Sequence, residues 1–285
     1  MSKSKGLRLG AARHIPGWTI CGLWVVITFV ILIYVAVASF KTPRDIFQGT
    51  VFSMESGWKP ENYATAWKVQ KLYMFFLNSI VYAIVAVAAG VAMAAPAAYV
   101  LSRYRFPGNG LIKRALVLAM SIPSILMILP LYALFIEWDI QGRGALMVVY
   151  ACMRVPYSTI FLLNFFETIS KSYEEAAAID GCPSGKIFLK IMLPMVKPAM
   201  TTICLFGFLG VLNEYMICLL LIPASNTEAM SLGVGLSRAI KALQYQGNYP
   251  AVYAAVVIAV LPSILIYAFT SRKIIFGGMG GGVKG

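Results

Sequence analysis

One acidic stretch holds the residue types whose spacing most clearly suggests a task. Ser172 and Glu175 have the spacing of a capping box, which predicts a short helix beginning just after Ser172. Glu174 and Glu175 then lie in its first turn, where the helix dipole favours carboxylates. Gly181 can adopt the left-handed conformation that ends a helix, and Pro183 suits the first turn of a second one. The stretch therefore predicts a helix, a tight turn and another helix.

The second of these helices has an apolar face and runs to Leu193-Pro194. A surface helix pair with such a face is a docking element for another protein. The segment from Gly181 to Lys186 does not match a phosphate-binding loop, because it is one residue too short, lacks Ser or Thr after the lysine and follows no predicted strand. A DNA-binding helix-turn-helix is disfavoured because the first helix is acidic, so we expect no nucleic acid partner.

Residues for catalysis or metal binding are scarce. His14 is the only histidine, and the five cysteines have no spacing typical of a metal site or a disulfide framework. No nucleophile stands at a spacing from a base that predicts an active site. We therefore expect no enzyme activity, no metal and no cofactor.

Two ionisable residues fall inside long apolar runs. Arg154 lies near Pro156, and Glu214 lies between Asn213 and Tyr215. A charge at the centre of a membrane helix costs roughly 2.5–3.5 kcal/mol on insertion scales, so each should face protein or water. Three interpretations remain open: contact with a solute in a transport path, a structural polar contact with another helix, or a direct Arg154–Glu214 pair. The candidate path residues are Asn213, Glu214, Tyr215 and Arg154.

The apolar runs predict the elements that must position these residues. Hydrophobic residues make up 60% of the 285 residues and charged residues 12%, which points to lipid as the solvent. The runs are long and continuous, unlike the short alternating strands of a membrane barrel, so they predict an all-α integral membrane protein. The six predicted membrane spans are Trp18–Phe40, Leu72–Leu101, Leu111–Ile136, Ala145–Phe166, Pro198–Ile222 and Ala251–Phe269.

Small residues and prolines distinguish the spans. The second span holds a run of small residues from Ala86 to Ala95, at which neighbouring helices can approach closely. The first span follows a basic segment, as a cleaved signal peptide would. Its apolar stretch exceeds the roughly 7–15 residues of a signal sequence, which favours an uncleaved anchor. Five prolines lie inside spans, where each tends to kink a helix: Pro96, Pro123, Pro130, Pro156 and Pro262.

The basic residues predict an orientation. A net charge of +13 is typical of some nucleic-acid-binding proteins, but here the basic residues cluster at the ends of the apolar runs. With both termini in the cytoplasm, 15 of the 24 Lys and Arg lie inside, 8 lie outside, and Arg154 lies within a span. This bias follows the positive-inside rule. We expect a multi-pass protein of a bacterial or archaeal cytoplasmic (inner) membrane with both termini cytoplasmic.

The acidic stretch also carries the motif of a known family. Glu175-Ala176-Ala177, then Gly181 and, nine residues later, Ile191-Met192-Leu193-Pro194 resemble the EAA motif of permeases in binding-protein-dependent ABC importers. The chain departs from many relatives at Leu212-Asn213-Glu214-Tyr215, where they have Trp-Asn-Glu-Phe, and in its glycine-rich tail at 277–282. Other stretches resemble the carbohydrate-uptake branch, and in it the smaller permease of the maltose importer: Ser39-Phe40-Lys41, Asn62-Tyr63 with Trp67, Leu77-Asn78-Ser79, Leu101 to Gly108, Leu129-Pro130-Leu131-Tyr132 and Gly282-Val283-Lys284-Gly285.

The resemblance implies a type I ABC importer permease with one domain over residues 1–285. That domain comprises a cytoplasmic segment (1–17), a six-helix membrane domain (18–271) with a cytoplasmic coupling loop (167–197) between spans four and five, and a cytoplasmic tail (272–285). The loop would seat in a cleft of a separate ATPase subunit, with Glu175 against a basic residue there, and the tail would reach between two ATPase subunits. The residues expected to couple are Glu174, Glu175, Ala176, Ala177, Asp180, Gly181, Ile191, Leu193 and Pro194.

The resemblance further implies a sugar or oligosaccharide importer, although polyols and glycerol phosphates travel through close relatives. Its partners would be a second permease in a heterodimer, two ATP-binding subunits that hydrolyse the ATP, an extracytoplasmic solute-binding protein and membrane lipid. The alternative is a secondary transporter driven by an ion gradient. That class often shows internal repeats and coupling carboxylates at the midplane. The sequence shows no convincing repeat, and Glu214 is its one intramembrane carboxylate.

Overall fold

The computed structural model describes residues 4–49 and 55–279, with side chains described for 17–49 and 55–270. Within these ranges every regular element is helical, and π or 3-10 turns occur at Thr65–Val69, Phe188–Met192 and Thr227–Ala229. The α-helices are α1 Ser4–Ala38, α2 Pro43–Gln48, α3 Glu61–Ala64, α4 Leu72–Arg103, α5 Asn109–Ser121, α6 Ser124–Glu137, α7 Arg143–Thr168, α8 Ser172–Ile179, α9 Ser184–Ile187, α10 Leu193–Met195, α11 Lys197–Leu212, α12 Met216–Leu221, α13 Leu232–Tyr245 and α14 Tyr249–Met279.

The prediction of an all-helical membrane protein is confirmed. Two bent helix pairs could each form one span, so the described residues contain four spans, or six if each pair is counted. The unbroken helical stretches that are long and apolar enough to cross a membrane are Gly17–Ala38, Leu72–Arg103, Arg143–Thr168 and Tyr249–Thr270. The bent pairs are Asn109–Ser121 with Ser124–Glu137, at 98°, and Ser184–Met195 with Lys197–Leu212, at 72°.

The predicted third span, Leu111–Ile136, is sharply bent at Pro123, where a kink was predicted, and α6 leaves α5 at an angle of 98°. Pro123 explains the break, since a proline disfavours helical backbone in the residue before it. Ile122 accordingly has extended backbone, with φ −79° and ψ 119°. The other four prolines predicted to kink spans lie inside continuous helices. The presence of a proline alone therefore does not locate a break.

The predicted fifth span, Pro198–Ile222, is also interrupted. The 16-residue helix α11 ends at Leu212, and α12 begins only at Met216. The backbone of Asn213 leaves the helical region, with φ −93° and ψ 2°. The interruption leaves backbone N–H groups at the start of α12 that need acceptors inside an apolar environment.

The described residues form two compact units. In the first unit (1–70 and 239–258), hydrogen bonds tie α3 to the turn after α1. Asn62 donates from Nδ2 to the carbonyl oxygens of Ser39 and Lys41, at 2.9 and 3.0 Å. The hydroxyls of Ser39 and Tyr63 lie 2.7 Å apart. The bonds from Asn62 satisfy carbonyl groups of the turn that follows α1, which have no helical partner.

Helix α2, also in the first unit, starts with a side-chain cap. Thr42 Oγ1 accepts a hydrogen bond from the N–H of Asp45 at 3.2 Å, and the Asp45 carboxylate accepts one from Ser56 Oγ at 2.9 Å. Burial raises the pKa of Asp45, but hydrogen bonds from Ser56 and Thr42 outweigh it, so the pKa lies below its ordinary value. The ionised form of Asp45 therefore stabilises this unit.

In the second unit (71–238 and 259–285), α4 packs closely against α7 and α11. A Cβ added to Gly90 of α4 would lie 3.3 Å from the carbonyl oxygen of Ala151 in α7. One added to Gly207 of α11 would lie 3.0 Å from Cγ2 of Val87 in α4. Both contacts fall in the run of small residues where the sequence predicts close helix packing.

The first half of α4 also holds the irregular segment after α12. Asn78 Nδ2 donates to the carbonyl oxygens of Glu228 and Met230, at 2.7 and 2.9 Å. The Tyr82 hydroxyl donates to the carbonyl oxygen of Ala229 at 2.6 Å. These side chains satisfy carbonyl groups that have no helical partner, which a membrane protein must do from within.

Candidate functional site: the EAA loop and a polar cluster

The segment between α7 and α11, residues 169–196, is called the EAA loop below. Its first helix, α8, ends in a Schellman motif: the N–H of Cys182 donates to the carbonyl oxygen of Ala177 at 2.9 Å, and that of Gly181 to Ala178 at 3.0 Å. Gly181 has φ +75°, so the prediction that it caps the helix in the left-handed conformation is confirmed. Pro183 precedes α9 by one residue, rather than lying in its first turn as predicted.

The predicted capping box of Ser172 and Glu175 is wrong. Helix α8 begins at Ser172 itself, because the carbonyl oxygen of Lys171 already accepts the N–H groups of Glu174 and Glu175, each at 3.0 Å. Lys171 therefore holds the N-cap position and makes no side-chain cap. Instead, the N–H of Ser172 donates to Ser170 Oγ at 3.3 Å.

The EAA loop has a buried and an exposed face. The buried face packs with side chains from the ends of α4 and α7 in one apolar cluster, in which Ile187 and Met192 lie beside Tyr99 and Phe166. Of the residues predicted to couple, those wholly or partly buried are Glu174, Ala177, Ile191 and Leu193. Those exposed are Glu175, Ala176, Asp180, Gly181 and Pro194. The sequence motif thus mixes residues that hold the loop with residues that it presents.

Three large side chains on the exposed face were not predicted. Ile179 is 87% exposed, Leu189 60% and Tyr173 53%. Ile179 stands directly before Asp180 and Gly181, so the tight turn projects it. Ile179 lies two positions after buried Ala177, about 200° around α8, so the helical period puts it on the opposite face.

Glu174 is engaged within the chain rather than presented. Its carboxylate pairs with Nε of Arg103 at the end of α4, at 3.0 Å, and the two side chains are 16% and 6% exposed. Arg103 Nη2 also donates to the carbonyl oxygen of Ile169 at 3.0 Å. The sequence did not predict this pair, and the position of Arg103 in the last turn of α4 was the available signal.

A polar cluster lies where α11 and α12 are interrupted. Glu214 accepts the N–H groups of Ile217 at 2.8 Å and Cys218 at 3.2 Å, which are the orphan donors at the start of α12. The hydroxyl of Tyr150 in α7 donates to the same carboxylate at 2.5 Å. The geometry thus gives Glu214 the structural contact that was one of three interpretations, and Tyr150 is a partner that the sequence did not suggest.

The remaining candidate path residues lie around this break. Among the side chains that the structure describes, Arg154 and Glu214 form no ion pair, so their direct pairing is not observed. Arg154 is half-buried in α7, and a Cβ on Gly210 of α11 would lie 2.8 Å from its Cζ. Asn213 is exposed and donates to the carbonyl oxygen of Leu209 at 2.9 Å. Tyr215 is half-buried.

No group of three or more His, Cys, Asp or Glu side chains in the described part of the chain could hold a metal ion. The N-terminal segment 1–17 and the tail 272–285 are described only in part. Their helical backbone is seen from residue 4 and up to 279, while His14 and the terminal motif at 282–285 lie outside the described side chains. The predicted contact of the tail with ATPase subunits thus stays a prediction.

Comparisons with known proteins agree with this architecture. Residues 86–272 match the family model described as the binding-protein-dependent transport system inner membrane component. The chain is 33% identical to the diacetylchitobiose uptake system permease protein NgcG of Streptomyces coelicolor, over 88% of this chain and 83% of that protein. It is 26% identical to the sulfoquinovosyl glycerol transport system permease protein SmoH of Agrobacterium fabrum, over 89% of this chain and 88% of that protein.

A solved structure has the same fold. A chain of a bacterial ABC transporter that imports the acidic polysaccharide alginate superposes with a TM-score of 0.81 over 93% of this chain and 97% of that one. The two chains are 24% identical, so this likeness concerns the fold.

Proposed function

Because this chain belongs to the family of inner membrane components of binding-protein-dependent transport systems, we propose that it is a permease subunit of an ATP-driven importer of a sugar or oligosaccharide. Named relatives carry diacetylchitobiose and sulfoquinovosyl glycerol, which share a hydroxyl-rich sugar part. Solute moves by alternating access, and separate ATPase subunits supply the energy. The alternative, an ion-gradient-driven transporter, is disfavoured because Glu214 is bound by three donors at a helix break.

One observation carries the coupling proposal: large apolar side chains stand exposed on a loop whose opposite face is firmly packed. Ile179 and Leu189 are 87% and 60% exposed. The surrounding lysines support a cytoplasmic location for the loop, and with it for both termini, by the positive-inside rule. In water such an apolar face favours a protein partner. Exposed Glu175 adds a charge beside it. The partner we propose is the ATPase subunit.

The solute path is proposed to pass the break between α11 and α12. Asn213 is exposed there, half-buried Arg154 lies against Gly210 of α11, and half-buried Tyr215 directly precedes α12. Amide and guanidinium groups can donate to sugar hydroxyls. Glu214 contributes by holding the break open, since its carboxylate replaces the missing helical acceptors.

The complete importer would contain a second permease in a heterodimer with this chain, two ATPase subunits and an extracytoplasmic solute-binding protein. The family description itself names dependence on a binding protein. The exposed apolar surfaces of the spans contact membrane lipid and the second permease. The single domain, the inner-membrane location and the absence of a nucleic-acid partner belong to the same proposal.

The test compares Ile179→Ser with Ile140→Ser in the reconstituted importer. Ile140 is also an exposed loop isoleucine, 44% exposed, but lies between α6 and α7. Burying an isoleucine contributes about 1.5–3 kcal/mol, so Ile179→Ser should weaken ATPase binding roughly 10- to 100-fold. ATP-dependent uptake into proteoliposomes should fall with it, and Ile140→Ser should leave ATPase binding unchanged.

Two results would contradict the proposal. Unchanged ATPase binding in Ile179→Ser, with full uptake, would remove the docking role of the loop. Uptake by the wild-type chain that needs an ion gradient and no ATPase subunit would favour the secondary transporter.

A further inference from the structure

The ion pair between Arg103 and Glu174 has a position that docking to a partner does not explain. We propose that it is a clamp that fixes the EAA loop to α4, so that displacement of the loop moves α4 together with α7 and α11. This inference rests on the proposed coupling of the loop to an ATPase subunit. Arg103 and Glu174 are positioning residues in that step, because neither needs to touch the ATPase or the solute.

The clamp joins three segments of the chain at one guanidinium. Nε of Arg103 lies 3.1 Å from Oε1 and 3.0 Å from Oε2 of Glu174, and Nη2 donates to the carbonyl oxygen of Ile169 at 3.0 Å. Arg103 ends α4, Ile169 follows α7, and Glu174 lies in the first turn of α8. Because the guanidinium is planar and donates from two of its nitrogens, it fixes the orientation of α8 as well as its distance from α4.

Burial keeps this pair in place. Only 6% of the Arg103 side chain and 16% of the Glu174 side chain are exposed, so water and salt screen the pair little. The ring of Tyr99, one turn before Arg103, packs on Phe166 and Phe188 at 5.6 and 5.0 Å between centroids. The chain offers a contrast nearby, since the Lys113–Glu167 pair is 32% and 47% exposed and therefore contributes little.

The clamp adds a directional attachment to those that the EAA loop already has. The chain itself connects the loop to α7 at Ile169 and to α11 at Val196, and the buried face of the loop packs in the apolar cluster with Tyr99 and Phe166. Apolar contacts are non-directional, whereas the bonds to Arg103 have a fixed geometry. The clamp therefore limits rotation of the loop against α4. Since α4 touches α7 at Gly90 and α11 at Gly207, the three helices then move as one packed body.

The two neighbouring carboxylates therefore have different tasks. Glu175 is exposed and available to a partner, while Glu174 faces the membrane helices. Consecutive residues on an α-helix point about 100° apart, so Glu174 can pair with Arg103 while Glu175 stays exposed. Glu175, the motif residue, presents its charge to a partner, and Glu174 fixes α8 to α4 through Arg103.

The test uses the complete importer in proteoliposomes, with ATP hydrolysis and solute uptake measured on the same preparation. Glu174→Gln keeps the shape of the side chain and removes its charge. We expect the ATPase subunit to stay bound, and the ATP hydrolysed per solute imported to rise roughly 2- to 30-fold, the range for residues that transmit coupling. The matched control, Glu167→Gln, breaks the exposed pair beside it and should leave this ratio unchanged.

A second variant exchanges the charges, combining Arg103→Glu with Glu174→Arg. If the exchanged pair restores the wild-type ratio of ATP hydrolysed to solute imported, the clamp is supported. This holds even if the Glu174→Gln importer fails to assemble. A Glu174→Gln importer with an unchanged ratio overturns the clamp, as does one that loses the ATPase subunit while the bound fraction stays fully coupled. Wild-type uptake that proceeds without ATP would refute the proposed function instead, so the two failures are distinguishable.

Discussion

Glu214 offers the sharpest test of how this chain supports a helix break in the membrane. If its carboxylate stabilises the break, removing the carboxylate must lower the free energy of unfolding, whether or not solute selection changes. Glu214→Ala leaves three donors without an acceptor: the N–H groups of Ile217 and Cys218, and the hydroxyl of Tyr150. Ile217, Cys218 and Tyr150 are 6%, 0% and 3% exposed, so water cannot readily replace the carboxylate.

The magnitudes follow from counting these bonds. An unsatisfied buried donor costs about 1–3 kcal/mol, so Glu214→Ala should lower the free energy of unfolding by at least about 3 kcal/mol. Glu214→Gln keeps one acceptor oxygen, and its amide can donate to the hydroxyl of Tyr150, so one N–H is lost and the cost is about 1–3 kcal/mol. Tyr150→Phe removes one bond to a charged acceptor, at about 1.5–3 kcal/mol.

The assay is equilibrium unfolding of the purified chain in detergent, followed by uptake into proteoliposomes. Asn213→Ala is the control, because Asn213 is exposed and its side chain bonds only Leu209 and, weakly, Ser263 among described residues. We expect the loss of unfolding free energy to be largest in Glu214→Ala, intermediate and similar in Glu214→Gln and Tyr150→Phe, and smallest in Asn213→Ala. A Glu214→Ala protein as stable as wild type but unable to select its solute would refute the structural role and restore the solute-lining interpretation.

Two further predictions concern stability outside the membrane spans. Gly181→Ala should lower the free energy of unfolding by about 1–2 kcal/mol. The φ of Gly181 is +75° and open space surrounds it, so the loss comes from backbone strain alone. The control Gly185→Ala is equally uncrowded and should be neutral or slightly stabilising in the same unfolding assay. Asp45→Asn removes a carboxylate whose pKa is lowered on folding, so its stabilisation is present above the ordinary value of 3.8 and is lost as the pH falls through the lowered value. The difference in unfolding free energy between wild type and Asp45→Asn should therefore be largest near neutral pH and shrink on acidification; a difference independent of pH would contradict this.

Sequence patterns located the helices and the EAA loop well, because both depend on local chemistry. Continuous apolar runs predict spans, and Gly181 predicts a left-handed cap, which its φ of +75° confirms. The capping box failed because two sites competed for the start of α8, and the carbonyl of Lys171 prevailed over the hydroxyl of Ser172. A side-chain cap does occur at Thr42 and Asp45, where proline at the first helical position fixes the start.

Breaks inside spans could not be predicted from hydropathy, because hydropathy measures side chains and a break is decided by backbone acceptors. Pro123 ends a helix where four other in-span prolines do not, and the residue before it, Ile122, has extended backbone. The break after Leu212 survives because Glu214 supplies the missing acceptors and Tyr150 reaches it from another helix. That partner is separated from Glu214 by 64 positions, a distance at which a single sequence carries no pairing signal.

The same reasoning explains why the EAA motif alone overstates what a partner can touch. A sequence motif includes residues that contact the partner and residues that hold those contact residues in a fixed position. Ala177 is buried, and Glu174 is paired with Arg103, yet both stand beside exposed Glu175. A small residue at 177 lets α8 lie close to the helices beneath it, and the ion pair sets its angle. Residues that hold α8 in place and residues that it exposes to a partner are therefore interspersed along one short helix, and the structure is needed to tell the two kinds apart.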